Sequence, residues 1–134
     1  TRVLDSNNRI GLVMISNAYI SDKPAYQHRG LLVDSARHFI PATTILKILD
    51  GMSINKMNVF HWHVTDSQSF PMETKRLPQM HLTGAFSAEK VYKQSQIDEI
   101  VKYAKYRGIR VIFELDAPAH AGNKSLLLII HINN

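Results

Sequence analysis

The sequence contains no cysteine. That excludes a disulfide framework, a thiolate metal site and a cysteine nucleophile, and leaves the cellular compartment open. It also lacks a long apolar run. The longest, Leu126 to Ile130, falls far short of the roughly 20 residues a membrane-spanning helix needs. No Gly-rich phosphate loop and no Gly-x-Ser-x-Gly elbow occurs, so neither backbone phosphate cradling nor a hydrolase nucleophile turn organises the chain. Repeats and low-complexity tracts are absent as well. The first residue is Thr1, and no signal peptide is recognisable; the start is expected to be missing or processed.

What is present is an ordinary globular mixture: 134 residues, 45% hydrophobic and 20% charged. That suits one domain and argues against disorder. The formal charge is +5, but Lys and Arg are scattered along the chain. The densest group is Lys102, Lys105, Arg107 and Arg110. It falls at the end of a predicted helix, where cations complement the helix dipole. A nucleic-acid face would need basic residues clustered with aromatics, so the surplus reads as solvated surface and no nucleic-acid partner is expected.

Residues 10–20 predict one or two short strands, and 21–29, polar and carrying Pro24, a connection. Leu31, Leu32 and Val33, apolar on both faces and ending at Asp34, suit a buried parallel strand. Ile45, Ile48, Leu49 and Met52 recur at helical spacing and predict a helix over 42–54, with Pro41 near its start. Residues 57–64 read as a strand, and 67–94 as mostly irregular. Ser95 followed by Asp98 has the form of a capping box. It would open a second helix whose apolar face is Ile97, Ile100, Val101 and Ala104, and which Gly108 terminates. Residues 109–115 predict a third strand. Strand, helix, strand, helix, strand argues an α/β fold with a parallel sheet and right-handed crossovers. A doubly wound sheet and a (β/α)8 barrel both begin this way. A barrel of about 250 residues would take roughly its first three strand–helix units from this chain.

In parallel α/β folds ligands bind where the strands end. Behind the first strand stand Asp34 and Arg37, behind the second Thr65 and Asp66, behind the third Asp116 and His120. Three strand ends that each deliver charged groups predict a site on one face. His61 and His63 would share one side of their strand. They read either as ligands of a divalent ion together with Asp116, in a metal-dependent hydrolase, or as packed, hydrogen-bonded interior residues. Pro118 would fix the separation of Asp116 and His120.

The stretches HRGLLVDSARHF (28–39), NKMNVFHWHVTDSQSFP (55–71), GAFSAEKVY (84–92) and RGIRVIFELDAPAH (107–120) resemble the family-20 glycoside hydrolases, the β-N-acetylhexosaminidases. The wording is most similar to insect or related animal members. The resemblance runs over about 19–122 and implies a (β/α)8 TIM barrel behind a smaller N-terminal α/β domain. Residues 1–26 would close that domain and its linker, 27–123 would begin the catalytic barrel, and 124–134 would be a non-homologous tail. The tail is expected to arise from intron read-through or a gene-model error, and its apolar run from Leu126 to Ile132 to stand in as a fourth strand. The Asn123–Lys124–Ser125 glycosylation sequon spans that junction.

The implied activity is removal of terminal β-linked N-acetylglucosamine or N-acetylgalactosamine from oligosaccharides or glycoconjugates. The substrate's own acetamide would be the nucleophile, with retention of configuration. The resemblance implies that Arg37 grips sugar hydroxyls. Asp66 and His120 would bind substrate and support the general acid, and Asp116 would shape the pocket. His61 and His63 then become barrel-interior residues, with no metal and no cofactor. It implies a secreted or lysosomal parent, monomeric or dimeric. The family's catalytic Asp-Glu pair has no counterpart after the third strand; the only such neighbours are Asp98 and Glu99. This chain is therefore expected to be an inactive fragment, or a non-catalytic sugar-binding one.

Overall fold

A computed structural model of the chain describes residues 2–4, 10–12, 19–117 and 119–121. Two short strands, β1 (Arg2–Leu4) and β2 (Ile10–Leu12), pair antiparallel with Arg2 opposite Leu12. β2 falls inside the predicted 10–20 stretch; residues 13–18 lie outside the described residues. From 19 to 29 the chain runs without helix or strand, as its polar composition predicts.

The main body is a three-stranded parallel sheet in the order β3 (Gly30–Asp34), β4 (Val59–Thr65), β5 (Arg110–Leu115). The crossovers carry α1 (Ala42–Ile54) between β3 and β4, then α2 (Gln79–Gly84) and α3 (Gln94–Lys105) between β4 and β5. Period-2 alternation splits β4 into two faces. Phe60, Trp62 and Val64 enter the core with Ile45, Leu49 and Met52 of α1 and Ile97, Ile100 and Ala104 of α3. Trp62, fully buried, donates from Nε1 to Ser35 Oγ at 2.8 Å and packs edge-on against Tyr92 at 5.0 Å. Its neighbours His61 and His63 point to the other side of the sheet.

Among the described residues only β4 has a parallel strand on each side. In β3, Leu31 and Leu32 are 38% and 54% exposed, and in β5 Ile112, Phe113 and Leu115 are also exposed. The expectation that the Leu31–Val33 strand is buried is therefore corrected. The strand is parallel, but it is an edge, and among the described residues helices cover one face alone.

Two helix details differ from the sequence reading. The capping box at α3 is not Ser95 with Asp98. Lys93 is the N-cap, and its backbone N–H donates to Gln96 Oε1 at 3.0 Å. Ser95 is already inside the first turn, Asp98 accepts from Gln94 Nε2 at 2.9 Å, and Glu73 caps from outside by accepting the Gln94 N–H at 2.6 Å. Val101 is 37% exposed rather than part of the buried stripe. Gly108 does terminate the helix, at φ +69°. Of the basic cluster, Lys102 and Lys105 occupy the last turn. Arg107 instead reaches Asp50 Oδ1 on α1 at 2.7 Å and stacks on Tyr103, so it ties two helices together. Within 67–94, α2 interrupts the expected irregular stretch. Its six residues are too few for a periodic signal, although Pro78 marks its start.

Candidate active site

β4 carries one extra residue near its end: His63 stands opposite Glu114, while Thr65 stands opposite Leu115. Such a bulge bends the strand and re-aims the chain beyond it. Asp66 comes next, and its side chain is fully buried. Its Oδ1 accepts the Ser67 N–H at 2.6 Å. Its Oδ2 faces three nitrogens: Arg37 Nη2 at 2.8 Å, His63 Nε2 at 3.0 Å and His120 Nδ1 at 3.3 Å. Burial alone would raise the Asp66 carboxyl. The His63 hydrogen bond, the Ser67 N–H and the Arg37 charge outweigh it and hold the group below the usual carboxylate range.

Arg37 arrives from the turn after β3. Asp34 builds that turn: its Oδ1 accepts the Ala36 and Arg37 N–H groups at 3.0 and 3.1 Å. The other oxygen, Oδ2, takes Arg37 Nη1 at 2.5 Å. Two carboxylates thus fix the guanidinium fork, while the side chain stays 45% exposed and free to meet a ligand. The Asp34 hydrogen bond comes first among the influences that raise the Arg37 pKa. His120 comes from the segment after β5 with φ +58°, a left-handed conformation uncommon for a residue with a side chain. Such backbone outliers cluster at functional sites. Asp116 places a carboxylate oxygen within 4.8 Å of ligand atoms of both Asp66 and His120. Pro118, expected to fix their separation, lies outside the described residues. All four expected residues, Arg37, Asp66, Asp116 and His120, therefore lie together at the carboxyl ends of three adjacent strands. Beside them opens a cavity of about 290 Å³, lined by Phe70, Met72, Leu77, Met80 and Leu115 as well as Thr65, Asp66, Asp116 and His120. One wall is apolar and the rim is charged, which is the usual make-up of a small-molecule site.

Comparison with known proteins identifies the family. The profile of glycosyl hydrolase family 20, catalytic domain, matches residues 26–127. The chain belongs to this family. It is 44% identical over 122 residues to the β-hexosaminidase subunit β of Mus musculus, covering 87% of this chain and 23% of that protein. To the chitooligosaccharidolytic β-N-acetylglucosaminidase of Ostrinia furnacalis it is 46% identical over 111 residues, covering 83% and 19%. The solved chitobiase of Flavobacterium johnsoniae superposes with a TM-score of 0.73 at 39% identity, over 85% of this chain and 17% of the other. The family-20 chain thus spans about a fifth of the length of the relatives it matches.

Among the described residues of this family-20 chain, two triads bring ligand-type atoms within 4.8 Å of one another: His63, Glu114 and Asp116, and Asp66, Asp116 and His120. The histidines expected to hold an ion, His61 and His63, are already engaged by carboxylates. His63 Nδ1 already meets Glu114 Oε1 at 2.9 Å while Nε2 meets Asp66, and His61 Nε2 meets Glu114 Oε2 at 2.5 Å. Both His63 ring nitrogens are thus turned to carboxylate oxygens and neither to a shared ion. The metal-hydrolase alternative is not favoured. Asp98 and Glu99 lie exposed on α3.

Glu114 stands outside the four expected site residues and is named by the sequence only as an acid that could replace the missing pair. Its signal is there in hindsight: it is the lone acid in the otherwise apolar run Val111–Leu115. Only strand register shows that it stands opposite His63.

Proposed function

We propose that this chain forms part of the non-reducing-end sugar pocket of an enzyme that removes terminal β-linked N-acetylhexosamine with retention of configuration. Its sheet would be the first three strands of a (β/α)8 barrel, with residues 27–123 inside that barrel and 1–26 closing a preceding α/β domain. The observation that carries the reading is the convergence of Arg37 and His120 on the buried Asp66 carboxylate from three different strand ends. A planar fork of N–H donors held open to solvent suits paired sugar hydroxyls. A carboxylate that buffers a histidine suits support of a general acid. The family's acid and acetamide-orienting groups would come from chain beyond the third strand. The parent would be a secreted or lysosomal enzyme acting on chitin fragments or glycoconjugates; the name of the Ostrinia furnacalis relative supports the first of these substrates.

The test is titration of the full chain with N-acetylglucosamine, together with hydrolysis of a chromogenic β-N-acetylglucosaminide. The expected result is sugar-dependent shifts of the Arg37 and His120 side-chain resonances, lost in Arg37→Ala, with no turnover. Turnover that disappears in Arg37→Ala would show that an acid within this chain completes the chemistry. Absence of any shift at Arg37 or His120 would overturn the pocket assignment.

A further inference from the structure

His63 lies behind the proposed sugar pocket. Its side chain is 5% exposed, and each ring nitrogen faces a carboxylate oxygen: Nδ1 to Glu114 Oε1 at 2.9 Å and Nε2 to Asp66 Oδ2 at 3.0 Å. A neutral imidazole has one N–H and one lone pair. In that form one nitrogen of a ring only 5% exposed would direct its lone pair at an acceptor-only carboxylate oxygen. Two ring protons satisfy both contacts. The surrounding charges agree. Asp34 faces the ring from β3, Glu114 from β5, Asp66 from the end of β4 and Asp116 from the end of β5, a set of four carboxylates. Arg37 meets two of them, His61 shares Glu114, and His120 reaches Asp66.

We propose that His63 is a positioning residue, held as an imidazolium between Glu114 and Asp66, and that its charge keeps Asp66 ionised and aimed at Arg37 and His120. Glu114 acts through His63 and never touches the pocket's ligand. The relay Glu114–His63–Asp66–His120 connects β5 and β4 to the segment after β5, so one side of the pocket is set by charge from beneath. The inference rests on the sugar-pocket reading only for what Asp66 is there to do.

Asp34 and Glu114 belong to the same picture. Although burial works against them, both carboxyls lie below the ordinary range. The Arg37 hydrogen bond and charge do this for Asp34, and the His63 charge and hydrogen bond for Glu114. Burial would by itself push His63 down, yet its contacts with Asp66 and Glu114 push it up.

The experiment is ¹⁵N NMR of the histidine-labelled full chain at pH 7.5, in solution or sedimented under magic-angle spinning. A free imidazole, with a pKa of about 6.5, is roughly tenfold more neutral than charged at that pH. His63 is expected to show two protonated nitrogens with imidazolium shifts. Glu114→Gln is expected to lower its midpoint by about one unit or more, the effect of losing a contacting opposite charge, and to move the His120 resonances with it. A single neutral tautomer of His63 in the wild-type chain overturns the inference, whatever the variant does. An imidazolium that persists unchanged in Glu114→Gln overturns the role given to Glu114. If His63 is charged but N-acetylglucosamine leaves Arg37 and His120 unmoved, the sugar-pocket reading fails and the charged relay stands.

Discussion

Replacing Asp66 by Asn separates charge from shape at the centre of the site. The amide keeps one oxygen for the Ser67 N–H, now 2.6 Å from Oδ1. On the other side it places an NH₂ group among three nitrogen donors at 2.8, 3.0 and 3.3 Å. Arg37 and His120 have side chains 45% and 58% exposed and can turn to water; His63, at 5%, cannot. The loss therefore centres on one buried, charge-assisted hydrogen bond. Breaking a buried ion pair from one side costs about 3–5 kcal/mol. His63 keeps Glu114, so the expected destabilisation is about 2–3 kcal/mol. The sign of its pH dependence comes from the lowered Asp66 carboxyl. The stabilisation is fully present above the unfolded value near 3.9 and is lost as pH falls through the folded value. The gap between wild type and Asp66→Asn should thus hold between pH 5 and pH 6 and should narrow below about pH 4. Urea unfolding of both chains, followed by the fluorescence of Trp62, the single and fully buried tryptophan, measures it. A gap under about 1 kcal/mol at pH 7, or one that does not change on acidification, would refute the reasoning.

At alkaline pH the opposite linkage applies. The raised His63 contributes stability that is full below about pH 6.5 and is lost as pH climbs through its folded value; urea midpoints between pH 6 and 9 should fall, and less steeply in Glu114→Gln. Ile45→Ala, at a fully buried core position, should cost about 3 kcal/mol in the same assay, against under about 0.5 kcal/mol for the exposed Ile54→Ala. Gly108→Ala should cost about 1 kcal/mol from left-handed strain alone, because an added Cβ there meets no atom within 4 Å. The apolar edge strands should drive self-association in sedimentation experiments, and Leu32→Lys, at a residue 54% exposed, should reduce it. A wild-type chain that stays monomeric at all concentrations would contradict that last expectation.

Much of this molecule could be read from residue order. Helical spacing gave α1 its observed bounds, because Ile45, Leu49 and Met52 recur on one face and Pro41 supplies a start. Gly108 marked the end of α3 because few other residues accept its backbone angle. A rule of parallel sheets, that chain leaving a strand's carboxyl end meets the ligand face, put six polar residues at the strand ends, and the family resemblance singled out Arg37, Asp66, Asp116 and His120 among them. β3 is more exposed than its composition suggests for a physical reason: an apolar run reports what a strand prefers, and whether anything covers it depends on elements elsewhere. The expected tail at 124–134, with its substitute strand and the Asn123 sequon, lies outside the described residues.

The sequence by itself determined the element types, the alternation that makes the sheet parallel, and which side chains stand at its functional end, because these depend on local periodicity and chain direction. Tertiary structure alone decided how those side chains meet. It set Glu114 against His63 through strand register, and it buried the Asp66 carboxylate just beyond one extra residue in β4. It also brought Arg37 to the side of Asp66 while leaving it open to solvent. Charge pairing acts over a few ångströms between residues far apart along the chain, Glu114 and His63 among them. No spacing rule reaches that far; only the folded sheet brings such partners within hydrogen-bond distance.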